Sequence, residues 1–362
     1  MERYGNYVES SYRVNFEQGF DFLSFNQYLI QQHCESELLI AMDASYLPKS
    51  GKKTYGRGKY WSGVAGQSKW GLEITGLAVI DVNKQTSFHL EAVQTSSAKE
   101  REVRNQSLLD YYLQIVVDKK ETLAALSRYL VVDAYFSKYG FVEGVISQSS
   151  LEVISRLRND ADVRYLYQGE PTGKKGRPKL YQGKVDWQHI DQNYFELVEQ
   201  NQDYKLYSAI LYSKSLKRKI KVAYCVFLDT QGQVSHYSIF FSTDLELTAC
   251  EILQYYRLRF QQEFLFRDAK QFTGLTSCQA ISKNKLHTHV NFALTSVSIA
   301  KAIELQKCKD EQKFIFSMSN IKRLFFNELF LNRIFSVFGF QPNSEKNPQQ
   351  VEQIRNFGLI AA

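Results

Sequence analysis

Two aspartates stand where apolar runs end. Leu38-Leu39-Ile40-Ala41-Met42 leads into Asp43, and Tyr129-Leu130-Val131-Val132 leads into Asp133. A carboxylate at the mouth of a buried strand is carried on a rigid element and meets solvent at its tip. Two of them on neighbouring strands would share a pair of divalent ions ~3.5–4 Å apart. A set of oxygen donors suits Mg2+, with Mn2+ as a substitute. Taken singly, each aspartate reads as a turn or cap residue. A third group changes the weighing. The pattern predicts one strong helix from Leu247 to Gln271, with Ser242-Thr243-Asp244 as its capping signal. Along it lie Tyr256, Arg259, Glu263 and Lys270. At ~100° per residue, their offsets put all four within roughly 60° of one helical face. Leu253, Phe260 and Phe264 point elsewhere, toward packing. A solvated face with an i,i+4 Arg–Glu pair is the plainer reading of such a helix. The two upstream aspartates weigh against it.

These residues need elements to hold them. The runs at 38–42 and 129–132 read as buried strands. After a Lys- and Gly-rich loop from Pro48 to Lys59, two further strands fit around Trp61–Ala65 and Leu72–Ile80, antiparallel to the first and joined near Gly66–Lys69. Residues 14–33 read as a short helical lead-in, 98–126 as amphipathic helix, and a helix is expected from Lys138. Residues 160–242 differ: short β-like runs at Tyr204–Ser213, Ile220–Leu228 and Val234–Ser242, with Gln231-Gly232 as the last turn, predict a β-rich unit. Residues 285–340 are mostly helical and rich in Phe, and the tail from Gln341 is polar.

The order strand–Asp, strand–Asp, helix–Glu is what a ribonuclease-H-like nuclease requires. Asp43, Asp133 and Glu263, with Tyr256-x2-Arg259-x3-Glu263-x6-Lys270, resemble the DDE transposases of bacterial insertion sequences, and most nearly their IS-four group with its Y-R-E-K signature. Asp133-Ala134-Tyr135-Phe136 fits that group's D-x-x-[YF] pattern. The likeness spans roughly residues 38–280. It implies an α/β fold: a ribonuclease-H-like mixed sheet with flanking helices, interrupted by a β-rich insertion, plus a helical C-terminal region. The expected division is a short helical segment 1–37, a first core part 38–159, the insertion 160–242, a second core part 243–340 and a tail 341–362. The resemblance further implies two Mg2+ ions held by Asp43, Asp133 and Glu263, cleavage at transposon ends through a hairpin, and strand transfer into target DNA. Tyr256, Arg259 and Lys270 would contact phosphates. The implied partners are double-stranded DNA, as terminal inverted repeats and target, and a second copy of the chain on paired ends. An aromatic in the insertion would handle a flipped base; Tyr237, by the last β-like run, and Trp187 are the candidates, although aromatics in β-rich units more often pack in a core.

Three basic segments lack acids: Lys49–Lys59, Lys174–Lys179 and Lys214–Lys221. They hold 14 of the 45 Lys and Arg residues. The first follows Asp43 directly, and Lys52, Lys53, Arg57 and Lys59 are expected to grip DNA beside the metals. The second contains Gly-Arg-Pro, suited to a narrow minor groove. Residues 1–37 are too short for a helix-turn-helix module with its own core. End recognition is therefore expected either to be truncated or to use other surfaces. A non-transposing DNA-binding remnant or regulator, and a ribonuclease-H-like nuclease without strand transfer, stay open as alternatives.

Composition bounds the rest. The chain has 362 residues, a formal net charge of +7, 44% hydrophobic and 23% charged residues, and 5 prolines, which excludes a disordered, fibrous or proline-rich chain. Aromatics reach 14%, and Tyr in excess with a positive balance suits contact with nucleic acid, while composition leaves membrane surfaces and acidic proteins open. Cys34, Cys225, Cys250, Cys278 and Cys308 are odd in number and widely spaced, which disfavours a disulfide framework or zinc knuckle and suggests a reducing cytoplasm. No signal peptide or membrane span is visible, so no membrane is expected; the resemblance adds a nucleoid-associated, bacterial setting. His287 and His289 are two apart, unlike a helical zinc pair. A Walker A loop and a G-x-S-x-G elbow are missing, so neither ATP-driven nor serine-hydrolase chemistry has a motif behind it.

Overall fold

The computed structural model describes residues 7–35, 37–169, 179–307, 314–339 and 347–360. Two helices lead in, α1 (Glu9–Gln18) and α2 (Phe22–His33). Strands β1 (Leu38–Pro48), β2 (Gly58–Ser62), β3 (Gln67–Asp81) and β4 (Thr86–Gln94) follow. Then come α3 (Ala98–Val103), α4 (Leu108–Asp118), α5 (Lys120–Leu126), β5 (Tyr129–Val131), α6 (Tyr139–Ser149) and β6 (Glu152–Leu157). A run of strands comes next: β7 (Val163–Leu166), β8 (Tyr181–Lys184), β9 (Glu196–Gln200), β10 (Tyr204–Ser213), β11 (Arg218–Leu228) and β12 (Val234–Ser242). Helices α7 (Ala249–Leu258), α8 (Phe260–Phe272), α9 (Lys283–Lys307), α10 (Met318–Phe338) and α11 (Pro348–Arg355) close the chain.

The described strands form one twelve-stranded sheet in the order β2-β3-β1-β5-β6-β12-β11-β10-β7-β8, with β4 also on β3 and β9 also on β10. β1 pairs antiparallel with β3 and β3 with β4, whereas β1, β5 and β6 run parallel. The path β4-β3-β1-β5-β6 is a ribonuclease-H-like core, and its two parallel joints are bridged by helices, as such crossovers require. The strands of 163–242 do not stand apart: β12 pairs with β6 and carries the same sheet outward. In the turn between β11 and β12, Gly232 takes the φ of +76° that this turn needs.

β1 is apolar without alternation because both of its faces are covered. Ile40 and Met42 pack with α4, α5 and α6 residues such as Val116, Leu123 and Val142. Leu39 and Ala41 pack with Ile252 and Leu253 of α7, and Leu47 with Leu265 and Ala269 of α8. With a side-chain period of two, Asp43 and Ser45 fall on the α7–α8 face.

Several expectations need correction. Residues 14–33 form parts of two helices rather than one, and 98–126 carries three short helices, broken at Arg104–Ser107 and at Lys119. Ser97 and Ser107 start two of them with capping boxes. β4 was not foreseen, because its apolar residues are interspersed with Ser87, His89 and Glu91. The expected helix from Leu247 to Gln271 is two, α7 and α8, meeting at Arg259. Its cap is Thr248 with Glu251, not Ser242-Thr243-Asp244. Phe260 and Phe264 do not pack inward; they are 51% and 40% exposed. The polar tail includes α11, held to α10 by Asn327 Nδ2 donating to the carbonyls of Arg355 and Phe357.

Candidate active site

Asp43 lies mid-way along β1, opposite Gly76 of β3. Its Oδ1 accepts from the Ala44 N–H at 2.9 Å. Asp133 follows β5, the parallel neighbour of β1, and caps the 3-10 turn Ala134–Phe136 by accepting from the Tyr135 N–H at 2.9 Å. Ser155 Oγ donates to the Asp133 carbonyl at 2.9 Å and fixes the backbone there. Glu263 lies in the first turn of α8. α8 is seated on β3 at the level of Asp43: Gln262 Nε2 donates to the Gly76 carbonyl at 2.7 Å. Gly76 is required for this approach, since a Cβ there would stand 2.7 Å from Phe266 Cζ.

Arg259, at the junction of α7 and α8, spans the site. Its Nη2 is 2.8 Å from Glu263 Oε1, and its Nη1 is 3.7 Å from Asp43 Oδ2. Burial pushes the Asp43 carboxyl up to about 7; Arg259 opposes the rise, while the charges of Asp133 and Glu263 add to it. Burial disfavours charge on Arg259, but Asp43, Tyr256 and Glu263 outweigh it and raise its pKa. Lys270 Nζ donates to Ser45 Oγ at 2.8 Å, two residues beyond Asp43. Burial lowers the Lys270 pKa, and Asp43 counteracts that. The Tyr256 ring packs against Phe240 with centroids 4.8 Å apart and planes tilted by 44°, and the Arg259 guanidinium lies 5.7 Å from its centroid. Burial raises its phenol, and Arg259 and Arg156 hold it down.

Asp133 and Glu263 are thus near enough for their charges to act on Asp43, with Arg259 between Asp43 and Glu263. Among the described residues, no group of three or more His, Cys, Asp and Glu side chains is gathered tightly enough to hold a metal ion. The Arg259 guanidinium supplies the positive charge at the junction of Asp43 and Glu263. Ser45, Arg156, Gln262 and Gly76 join the site without having been anticipated. Ser45 was visible only as the residue two beyond Asp43, hence on the same face; the other three carry no sequence signal.

The remaining candidates lie elsewhere. Lys52 and Lys53 are exposed in the loop after β1. Arg57 and Lys59 stand 4.8 and 5.8 Å from the Trp70 ring. Trp187 is buried against Phe195 and Tyr224. Tyr237 is half-buried within β12, its ring 5.5 Å from Tyr224. The segment Lys174–Lys179 lies outside the described residues apart from Lys179. Lys214–Lys221 spans the β10–β11 hairpin, as expected.

A family model described as DDE superfamily endonuclease matches residues 25–216. The chain belongs to the DDE superfamily endonucleases. The matched span includes most of α2, the core strands and both Asp43 and Asp133; Glu263 lies beyond it. No curated protein matches the chain. Membership sets the reaction class as phosphodiester cleavage, with DNA as the implied substrate, and divalent metals are general in the superfamily. No helix among the described residues is long and apolar enough to cross a membrane.

Proposed function

We propose that this DDE endonuclease is a transposase of the insertion-sequence type, resembling the IS-four group, with Asp43, Asp133 and Glu263 as its catalytic carboxylates. The observation that carries the reading is Arg259, which touches both Asp43 and Glu263, while burial and then the charge of Asp133 raise the Asp43 carboxyl. Acidic side chains partly removed from water need a cation to balance them, and here Arg259 holds that place between Asp43 and Glu263.

The donor set fits a hard divalent ion. All three side chains offer oxygen, and a divalent cation would favour the charged form of Asp43, which burial chiefly disfavours and the charges of Asp133 and Glu263 disfavour further. Asp43, Asp133 and Glu263 would hold two Mg2+ ions, for which Mn2+ can substitute. Bound there, the ions would lower the pKa of the attacking hydroxyl and stabilise the leaving oxygen. For Glu263 to serve, Arg259 must release it.

Arg259 has a reason to move. Its Nε is a buried donor without an acceptor. A phosphodiester oxygen would satisfy it, so substrate binding and release of Glu263 are coupled in this reading. Tyr256 and Lys270 flank the same carboxylates and would hold the strand in line. The wider reading is cleavage at terminal inverted repeats through a hairpin and strand transfer into target DNA, with two copies on paired ends.

The test is a nicking assay on labelled DNA carrying the inverted repeats that flank the gene, with Mg2+ or Mn2+. Metal-dependent cleavage at the repeat tip, abolished by Glu263→Ala with DNA binding kept, is the expected result. Cutting by Glu263→Ala as fast as wild type would overturn the metal assignment. Cleavage without joining would leave a nuclease that does not transfer strands. Binding without cleavage, even of pre-nicked ends, would indicate a regulator.

A further inference from the structure

The β2–β3 hairpin presents a feature that the cleavage site does not use. β1 pairs with β3 only as far as Pro48 and Gly71. Beyond that point β3 continues with β2 alone, in the register Lys59↔Trp70 and Trp61↔Ser68. Directly opposed residues of an antiparallel pair share a face, as do residues two apart on one strand. Lys59, Trp61, Ser68 and Trp70 therefore share one face of this two-stranded ribbon. Tyr60, on the other face, is buried and donates to the carbonyls of Gly56 and Thr95, both at 3.0 Å, which anchors the ribbon.

Both indoles are open to solvent, Trp61 at 61% and Trp70 at 53%. The pair is diagonal, which sets their Cβ atoms ~7 Å apart. A base held between two rings needs about that gap, twice the ~3.4 Å rise of one stacked base. Arg57 covers part of Trp70 at 4.8 Å, and its Nε donates to the Lys49 carbonyl at 3.0 Å, so the cation is oriented by the loop. From residue 44 to residue 72 the chain has six Lys and Arg (Lys49, Lys52, Lys53, Arg57, Lys59, Lys69) and no acid. A protein partner would not require that charge bias; a polyanion with flat apolar faces would.

The register also relates this face to the carboxylates. Gly76 opposes Asp43, and the even-numbered residues of β3 from Ser68 to Gly76 share its face. Trp70 is six residues along β3 from Gly76, ~20 Å at the usual strand rise. Leu72 and Ile74 between them are covered by α8 residues such as Leu265 and Phe266.

We propose that the Trp61–Trp70 face of the β2–β3 ribbon is a stacking platform for unpaired DNA, with Arg57 and Lys59 holding the adjoining phosphates. Trp61 and Trp70 take up bases of a strand opened ~20 Å along β3 from Asp43, and so select an unpaired segment over intact duplex. The inference rests on the DNA-cleaving reading for the class of ligand, but its test is a binding measurement that needs no cleavage.

The chain has three tryptophans, and the third, Trp187, is only 6% exposed, so tryptophan emission reports on the platform. The full-length protein is titrated with oligothymidine and, separately, with a blunt duplex of equal length. Saturable quenching by the single strand is expected, unchanged in Trp187→Phe. Trp61→Ala and Trp70→Ala should each weaken single-strand binding about 5- to 150-fold, and Trp70→Phe should restore most of it. Duplex binding should change little in the same variants. The indoles are exposed, so these variants are expected to fold, and circular dichroism checks it. Emission that does not respond to the oligomer, alanine variants that bind as wild type, or an equal loss on duplex would each overturn the platform. Metal-dependent cleavage with unresponsive emission removes the platform and leaves the enzyme reading. Quenching with no cleavage under any condition does the reverse.

Discussion

At Arg259 one guanidinium serves two carboxylates, and the cost of removing it follows from burial. Its side chain is 9% exposed, and that of Asp43 is 22% exposed. In the metal-free protein Arg259→Ala leaves both acids without their nearest cation, so a loss of roughly 3–5 kcal/mol is expected at most, less where Glu263 is solvated. The same variant frees Glu263 for metal. Added Mg2+ should therefore raise the melting temperature of Arg259→Ala by more than that of wild type, since a ligand stabilises in proportion to its affinity for the folded state. Equal shifts in a thermal melt would mean that Arg259 and the ion do not compete. Residue types at the site were legible because Asp, Glu, Arg and Lys at helical and strand-end spacing are few and chemically pointed. Their mutual arrangement was not: nothing in the spacing says that Arg259 bridges Glu263 to Asp43, because the bridge depends on how α8 crosses β1.

Among the elements, α8 and β3 set the depth of the site together. Gly76 sits inside a strand, where replacing glycine with alanine would ordinarily gain ~0.5–1 kcal/mol. Here the sign reverses. The added Cβ meets the edge of the Phe266 ring at 2.7 Å, and Phe266 is 6% exposed with little room to yield. Gly76→Ala should lose about 1–3 kcal/mol in urea unfolding. It should also slow cleavage, because Glu263 is one turn from Phe266 and moves with it. A variant as stable and active as wild type would show that α8 rides freely over β3. The helix itself was foreseen as one piece; it is interrupted at Arg259 alone, which keeps right-handed helical dihedrals, and α7 packs on the sheet through Ile252 and Leu253, α8 through Leu265 and Ala269. Periodicity reports a face but not the partner that bends it, which is also why Phe260 and Phe264 ended exposed.

Across the whole molecule, the least legible part is the fastening of α2 and α9 along β4. The outer side of β4 has no strand beside it among the described residues, yet it is not left open. Asn291 Oδ1 accepts from the Ala92 N–H at 2.7 Å, Ser298 Oγ from the His89 N–H at 2.8 Å, and Lys301 Nζ and Asn26 Nδ2 donate to the carbonyls of Ser87 and Leu90 at 2.7 and 2.9 Å. Covering an edge this way prevents pairing with other chains. His89 is held inside the network, its Nε2 2.9 Å from Asn291 Oδ1, and burial lowers its pKa to about 4. A histidine depressed on folding contributes stability that is full above its unfolded value, ~6.5, and is lost as pH falls toward 4. About 3 kcal/mol should disappear over that window. Urea midpoints at pH 7 and pH 4.5 measure it, and His89→Gln, which keeps a side-chain donor, should flatten the dependence. An unchanged slope in that variant would assign the acid sensitivity to other groups. What the sequence by itself determined was the α/β class, the buried strands that lead into Asp43 and Asp133, the helical setting of Glu263 and the basic stretch after Asp43, because each is a local pattern of burial or charge; that β1 runs on past Asp43 to Pro48 was not legible. Tertiary structure alone decided the parallel neighbourhood of β1 and β5, the continuation of the sheet from β6 into β12, the Arg259 bridge and the polar seam on β4. All four are contacts between residues far apart in the chain, formed by burial that no local window contains.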